Sequence, residues 1–266
     1  MELGGKEVNV RNKNTKNSIV LFLIFAFGLP LICVLLEKGV FKSGIINFIL
    51  FGIEAAAPTL SAIIVTSIFN VKIGIRKFLK KCYIKNIKVN YVLLGVMIPI
   101  VLLVAAKLTW CVFASNTTFM KGITVKKLLI IAWSLIAEEI GWRGFLQERL
   151  DKPLGYLLAP ILLGTIWALW HYHFFWLGTM SAPLILFWLG CIADSFGYYW
   201  ITKKSKGNII PVSLWHFTEN MFANVLLITP EYNHGSNIPY LLCVVYSCIM
   251  AIIISLKLMC EGRQYR

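Results

Sequence analysis

The chain has 266 residues, 58 % of them hydrophobic and only 14 % charged, and its mean hydropathy is +0.75. A soluble domain carries about 25 % charged residues, so the composition sets aside a water-soluble globule and points to a membrane protein. The formal net charge of +14 would suit a nucleic-acid partner, but the distribution of that charge gives it another meaning.

Eight apolar segments are predicted, at about 18–36, 44–69, 91–114, 126–147, 154–178, 182–202, 207–229 and 238–258. Each approaches or exceeds the roughly 20 residues that cross a bilayer as a helix. The fold class expected is an all-α integral membrane protein, a bundle of about eight transmembrane helices with both termini cytoplasmic. There is no repeat of solenoid length and no low-complexity tract. A single transmembrane domain over residues 1–266 is expected.

The first segment has the basic flank of a signal peptide, but its apolar run is too long. Leu35-Leu36-Glu37 is wrong for a small-x-small cleavage site. Leu31 and Ile32 before Cys33 likewise do not make a lipoprotein site. The segment reads as an uncleaved first helix.

Between the second and third segments, residues 70–90 interleave Ile73, Phe78 and Tyr83 with many lysines. Two readings stand side by side: an amphipathic helix on the inner membrane surface, or a solvated basic loop.

With the N-terminus placed inside, the inner regions collect nearly all the basic residues. They are Lys6, Arg11, Lys13 and Lys16; Lys72, Arg76, Lys77, Lys80, Lys81, Lys85 and Lys88; Arg149 and Lys152; Lys203, Lys204 and Lys206; and Lys257, Arg263 and Arg266. The outer loops hold Lys38, Lys42, Lys121, Lys126 and Lys127. This is the positive-inside pattern repeated at every short loop. The charge is therefore read as topology and contact with anionic lipid, not nucleic acid. The seven cysteines include no CxxC pair; Cys191, Cys243 and Cys248 read as packing residues.

The fourth segment contains Glu138-Glu139-Ile140-Gly141-Trp142-Arg143-Gly144. One charge at the centre of a membrane helix costs roughly 2.5–3.5 kcal/mol on insertion scales, so intramembrane ionisable groups read as a functional site. Glu139 and Arg143 stand at i, i+4 and can pair. Glu138 is rotated about 100° away on an ideal helix, free to face another group. Gly141 and Gly144 would let another helix approach closely.

The fifth segment supplies Trp167 and His171 at i, i+4. His173 is expected to point elsewhere, near the outer interface, with an aromatic belt of Tyr172, Phe174, Phe175 and Trp176. The seventh supplies His216 and Asn220 at i, i+4, with Glu219 between them and Asn224 continuing the stripe. Glu138, Glu139, His171, His216 and Asn220 can converge as acid/base groups and oxyanion donors. His and carboxylate also suit a divalent metal such as zinc, with Glu138, His171 and His216 as candidate ligands; the HExxH motif is absent.

The order EExxxR, aromatic-xxx-His and HxxxN on separate membrane helices resembles the CPBP family, which includes CAAX-prenyl endopeptidases and bacterial intramembrane proteases, some linked to bacteriocin immunity. The resemblance covers about residues 126–228. Trp167 stands where phenylalanine is commonest in the family.

The resemblance implies an endopeptidase acting on a peptide or prenylated peptide; a small eight-span chain suits a multi-pass protein of a bacterial plasma membrane. Glu138 and His171 would activate water, His216 and Asn220 would hold the oxyanion, Glu139 would assist and Arg143 would lock the glutamate helix. A non-catalytic immunity or scaffold protein of the same fold is the alternative. A proton-relay transporter using Glu138, Glu139, Asp194 and the histidines is less favoured, because no inverted repeat is visible. Straight-helix arithmetic does not bring the three motifs to one depth without a strong tilt or a displaced helix, and it sets the site in the inner half or near the midplane, opening to the cytoplasm.

Overall fold

The computed structural model describes residues 2–40, 44–69, 74–114 and 118–263, with side chains from 14 to 261 within them. Lys42, Lys72, Ile73 and Arg266 of the patterns above lie outside the described residues, as do the side chains of Lys6, Arg11, Lys13 and Arg263.

The elements are all helical: α1 (Glu2–Gly39), α2 (Ile45–Phe69), α3 (Gly74–Tyr83), α4 (Val89–Phe113), α5 (Val125–Ala137), a π-helical turn (Ile140–Leu146), α6 (Gln147–Trp170), α7 (Tyr172–Leu177), α8 (Leu184–Lys204), α9 (Ile210–Val225) and α10 (Ile238–Arg263). Six helical stretches among the described residues are long and apolar enough to cross a membrane. One of them, Val125–Leu177, is 53 residues long and holds two of the predicted segments.

The reversal inside that stretch follows from one bond. Trp167 Nε1 donates to Glu138 Oε2 at 2.8 Å across 29 residues. A straight helix of that length would part them by about 43 Å. The chain therefore doubles back between them, at Pro153-Leu154-Gly155, where Gly155 takes φ 68°, ψ −172°. That conformation is open to glycine and barred to residues with a Cβ. Measured from Gly155, Glu138 and His171 stand about 25 Å and 24 Å along their helices, so the depth mismatch disappears. Segment ends drawn from hydropathy miss this point, because helix α6 continues through the polar run Gln147–Lys152.

Helix α8 is the centre of the bundle. Two thirds of its apolar window is buried (67 %), against 22–39 % in the other spans, which turn Ile24, Leu93, Val101 and Ile252 outward. Around α8, α6 and α10 pack on its flanks, α4 lies against α9 and α10, and α1 pairs with α2. Helix α9 has 16 residues, about 24 Å, shorter than the roughly 30 Å hydrocarbon core. It is enclosed by α4, α5 and α8, so its polar residues need not meet lipid.

Small residues set the closest approaches, as lipid-embedded helices require. A Cβ on Gly141 would overlap the backbone of Pro58 in α2, and one on Gly164 would stand 2.6 Å from Ile192 Cα in α8. Gly144 instead abuts α3, with Cys82 Sγ 2.9 Å from the position a Cβ would take. Residues 74–83 are thus the helix of the two predicted readings. Its buried Phe78 and Cys82 pack on Gly144 and Phe145, so this apolar face covers the bundle and not the lipid.

Candidate active site

Helix α5 ends at Ala137, Glu138 caps it, and a π-helical turn follows. π-turns accompany functional sites in many proteins. Here the turn buries the whole run Ile140–Leu146, with Trp142 and Phe145 edge-on and stacked against Phe22 of α1. The glutamates are thereby fixed by packing on both sides.

Glu139 and Arg143 form the expected pair, Arg143 Nη1 donating to Glu139 Oε1 at 3.1 Å, with both side chains fully buried. Glu139 Oε1 also accepts from His216 Nδ1 at 2.9 Å. The guanidinium lies between two rings, 4.5 Å from the Trp167 centroid and 4.4 Å from that of Tyr198, and its Nη2 donates to Ser195 Oγ at 3.4 Å. Arginine's flat, delocalised cation suits such a slot and lysine's does not.

Glu138 takes the Trp167 indole bond on Oε2 and lines a cavity of about 820 Å³. His171, His216 and Asn220 line the same cavity. His171 closes α6 and gives Nδ1–H to the Trp167 carbonyl at 2.7 Å. His216 gives its Nδ1–H to Glu139. Both acceptors are oxygens without a proton to give, so both rings are fixed with Nε2 as the remaining nitrogen. Trp167 stands between the two rings, 5.5 Å and 5.4 Å from their centroids. Asn220 is half-buried; its carbonyl accepts from Asn224 Nδ2 at 2.8 Å.

The structure thus brings Glu138, His171, His216 and Asn220 to one cavity wall. Glu139 and Arg143 sit one layer behind, positioning His216 and Trp167. His173 is not at an interface: it is fully buried, its Nδ1 bonded to the Trp170 carbonyl at 2.8 Å and its ring tilted against that of Phe174, centroids 4.0 Å apart. The short helix α7 folds that aromatic run back against α1, where Tyr172 donates to the Phe27 carbonyl; only Trp176 remains exposed.

A zinc site needs three or four donors around one point. Among the described residues no three His, Cys, Asp or Glu side chains are so grouped, and the candidate set Glu138, His171 and His216 does not meet that geometry.

Beyond the predicted catalytic residues, the cavity gathers Asp194, named above only in the proton-relay reading, and Glu219, named only as lying between His216 and Asn220. Asp194 of α8 is buried on the same cavity, within hydrogen-bond reach of Glu219 and Ser247, and Tyr198 donates to Glu219 Oε2 at 2.7 Å. Asp194 was open to discovery, as an ionisable group in mid-span. Ser195 and Tyr198 carry no such signal, since their polar tips matter only once α8 is known to face Arg143.

The cavity has its mouth among the connecting loops. Its rim is built from Gly44, Thr124, Lys127, Ser181 and Glu231, in the α1/α2, α4/α5, α7/α8 and α9/α10 connections. This is the end of the bundle away from the basic loops. The reason is again the fold: α3 and the buried turn Ser205–Ile209 close the basic end, with Asn208 Nδ2 on the Lys85 carbonyl and Ile209 N–H on the Cys82 carbonyl.

Residues 121–222 match the family model described as "Type II CAAX prenyl endopeptidase Rce1-like", a span that includes all three motifs. The CAAX prenyl protease 2 of Methanococcus maripaludis is 27 % identical over 128 residues, 45 % of this chain and 45 % of that protein. The match thus spans less than half the length of that curated relative. Through its 121–222 core, the chain is thus similar to the CAAX-type prenyl endopeptidases.

Proposed function

We propose that this protein is an intramembrane endopeptidase that hydrolyses a peptide bond with a water activated by Glu138 and His171. The observation that carries the reading is the convergence of Glu138, His171, His216 and Asn220, from three different helices, on one cavity inside the bundle.

His171 Nε2 faces the cavity as a lone-pair acceptor, because Nδ1–H is committed to the Trp167 carbonyl. A water between it and the Glu138 carboxylate loses a proton as its oxygen attacks the carbonyl carbon. The oxyanion that forms lies against Asn220 Nδ2 and, in the imidazolium form of His216, its Nε2–H. The C–N bond then breaks, and the proton taken from water passes to the leaving amine. Glu139 orients His216 by its Nδ1–H bond.

The test is cleavage of a panel of prenylated and unprenylated peptides by the full chain in liposomes. Glu138→Gln and His171→Ala are expected to lower turnover by about 10²–10⁴, the usual weight of a positioned acid or base. Equal activity in both variants and wild type would sink the reading. A chelator arm reports independently on metal dependence.

A further inference from the structure

We infer that the cavity is loaded from the extracytoplasmic side, and that its substrates are peptide segments presented at the outer leaflet. The inference rests on the peptidase reading only for the word substrate; the direction of access stands on charge and geometry.

Among the described residues, 17 lysines and arginines fall at one end of the bundle and four at the other. The remaining two, Lys107 and Arg143, are buried within it. The basic end comprises the N-terminal part of α1, the region of α3, the reversal within α6, the α8/α9 turn and the C-terminal part of α10. Such an imbalance across short loops orients a multi-pass chain with its basic end in the cytoplasm.

The cavity opens at the opposite end, and no lining residue comes from the loops of the basic end. Below the reacting groups the bundle is sealed. Arg143, Glu139 and Ser195 fill the layer behind Glu138 with less than 3 % exposure each. Cys82 of α3 then lies against Gly144, and Tyr199 and Lys203 both hold Asp151 near the reversal within α6. Glu138 stands 13 residues from Val125 at the mouth of α5, about 20 Å along the helix. A peptide in the outer leaflet reaches it by descending between α2 and α5 on one side and α8 and α10 on the other. A tail in the cytoplasm meets the sealed end.

The interior chemistry narrows the class. Phe48, Phe51 and Leu102 make one wall apolar, while Asp194, Glu219 and Glu231 make the other rich in carboxyls. A segment with an apolar face and a neutral or basic opposite face fits; an acidic one is opposed by like charge.

The test labels cysteines in sealed right-side-out vesicles with a membrane-impermeant maleimide, wild type serving as background. Thr179→Cys and Ser181→Cys, both exposed at the mouth, are expected to react in sealed vesicles. Lys80→Cys, exposed at the basic end, is expected to react only after permeabilisation. The reverse pattern, or labelling of Lys80→Cys in sealed vesicles, overturns the inference.

A second arm adds a basic, apolar fluorogenic peptide outside right-side-out and inside-out vesicles, with Glu138→Gln subtracted. Cleavage at least tenfold faster in the right-side-out preparation is expected. Cleavage confined to inside-out vesicles overturns the inference while leaving the peptidase intact. Absence of Glu138-dependent cleavage in both, with the labelling as expected, refutes the peptidase reading and upholds the direction of access.

Discussion

Replacing Arg143 by methionine tests whether the site is held together by a buried charge layer. Methionine keeps much of the side-chain length and removes the cation. In the native chain that cation is paired with Glu139 at 3.1 Å, both side chains at 0 % exposure, and is sandwiched by Trp167 and Tyr198. Breaking one side of a buried pair costs about 3–5 kcal/mol, because the remaining carboxylate is left uncompensated. Each desolvated cation–π contact adds up to about 2 kcal/mol, some of which the methionine sulfur returns against the rings.

The expected loss for Arg143→Met is therefore about 3–5 kcal/mol, roughly two to four powers of ten in the folding equilibrium. Glu139 keeps His216 as a partner, which holds the loss toward the lower end. Arg143→Lys retains the charge but not the flat fork between two rings, and is expected to fall between wild type and methionine. The double variant Glu139→Gln/Arg143→Met removes the stranded charge and is expected to be more stable than Arg143→Met alone. The assay is reversible unfolding in mixed micelles, followed by tryptophan fluorescence, with wild type, Glu139→Gln, Arg143→Met and the double variant compared in a double-mutant cycle. Arg143→Met within 0.5 kcal/mol of wild type, or strictly additive single effects, would refute the argument; ~0.5 kcal/mol is the spread expected of independent sites.

The glycines offer an internal comparison. Gly141→Ala, facing the Pro58 backbone, and Gly164→Ala, 2.6 Å from Ile192 Cα, are expected to destabilise by about 1–3 kcal/mol by overpacking. Gly190→Ala, whose Cβ would meet only Val244 Cγ2 at 3.5 Å, is expected to stay near wild type in the same unfolding assay. Trp167→Phe keeps an aromatic ring beside both histidines but deletes the donor to Glu138, a bond to a charged group worth about 1.5–3 kcal/mol. Its expected signature is a fall in kcat with little change in KM, and unchanged kcat would show that the indole bond does not set the Glu138 geometry.

Much of the site was legible because the membrane penalises the residues that build it. Glu138, Glu139 and Arg143 stand out in an apolar run, and His171, His216 and Asn220 stand out by their i, i+4 partners on other segments. The Glu139–Arg143 pair needed only helical periodicity. Asp194 was overlooked in the site because its partner Glu219 lies on another helix and no spacing rule links them. His173 was placed at an interface because its neighbours form an aromatic run, and only the break at His171 shows that run folding inward.

The sequence by itself determined that this chain lives in a bilayer, which segments are helical, which end carries the positive charge and which few polar residues the membrane must tolerate. These are local or additive properties, read from hydropathy, period and charge. Tertiary structure decided where the chain doubles back inside α6, which residues of α8 complete the cavity, and at which end the cavity opens. Those depend on Gly155, on the packing of α3 and on the short enclosed helix α9. They are set by contacts between residues far apart in the chain, which no local pattern encodes.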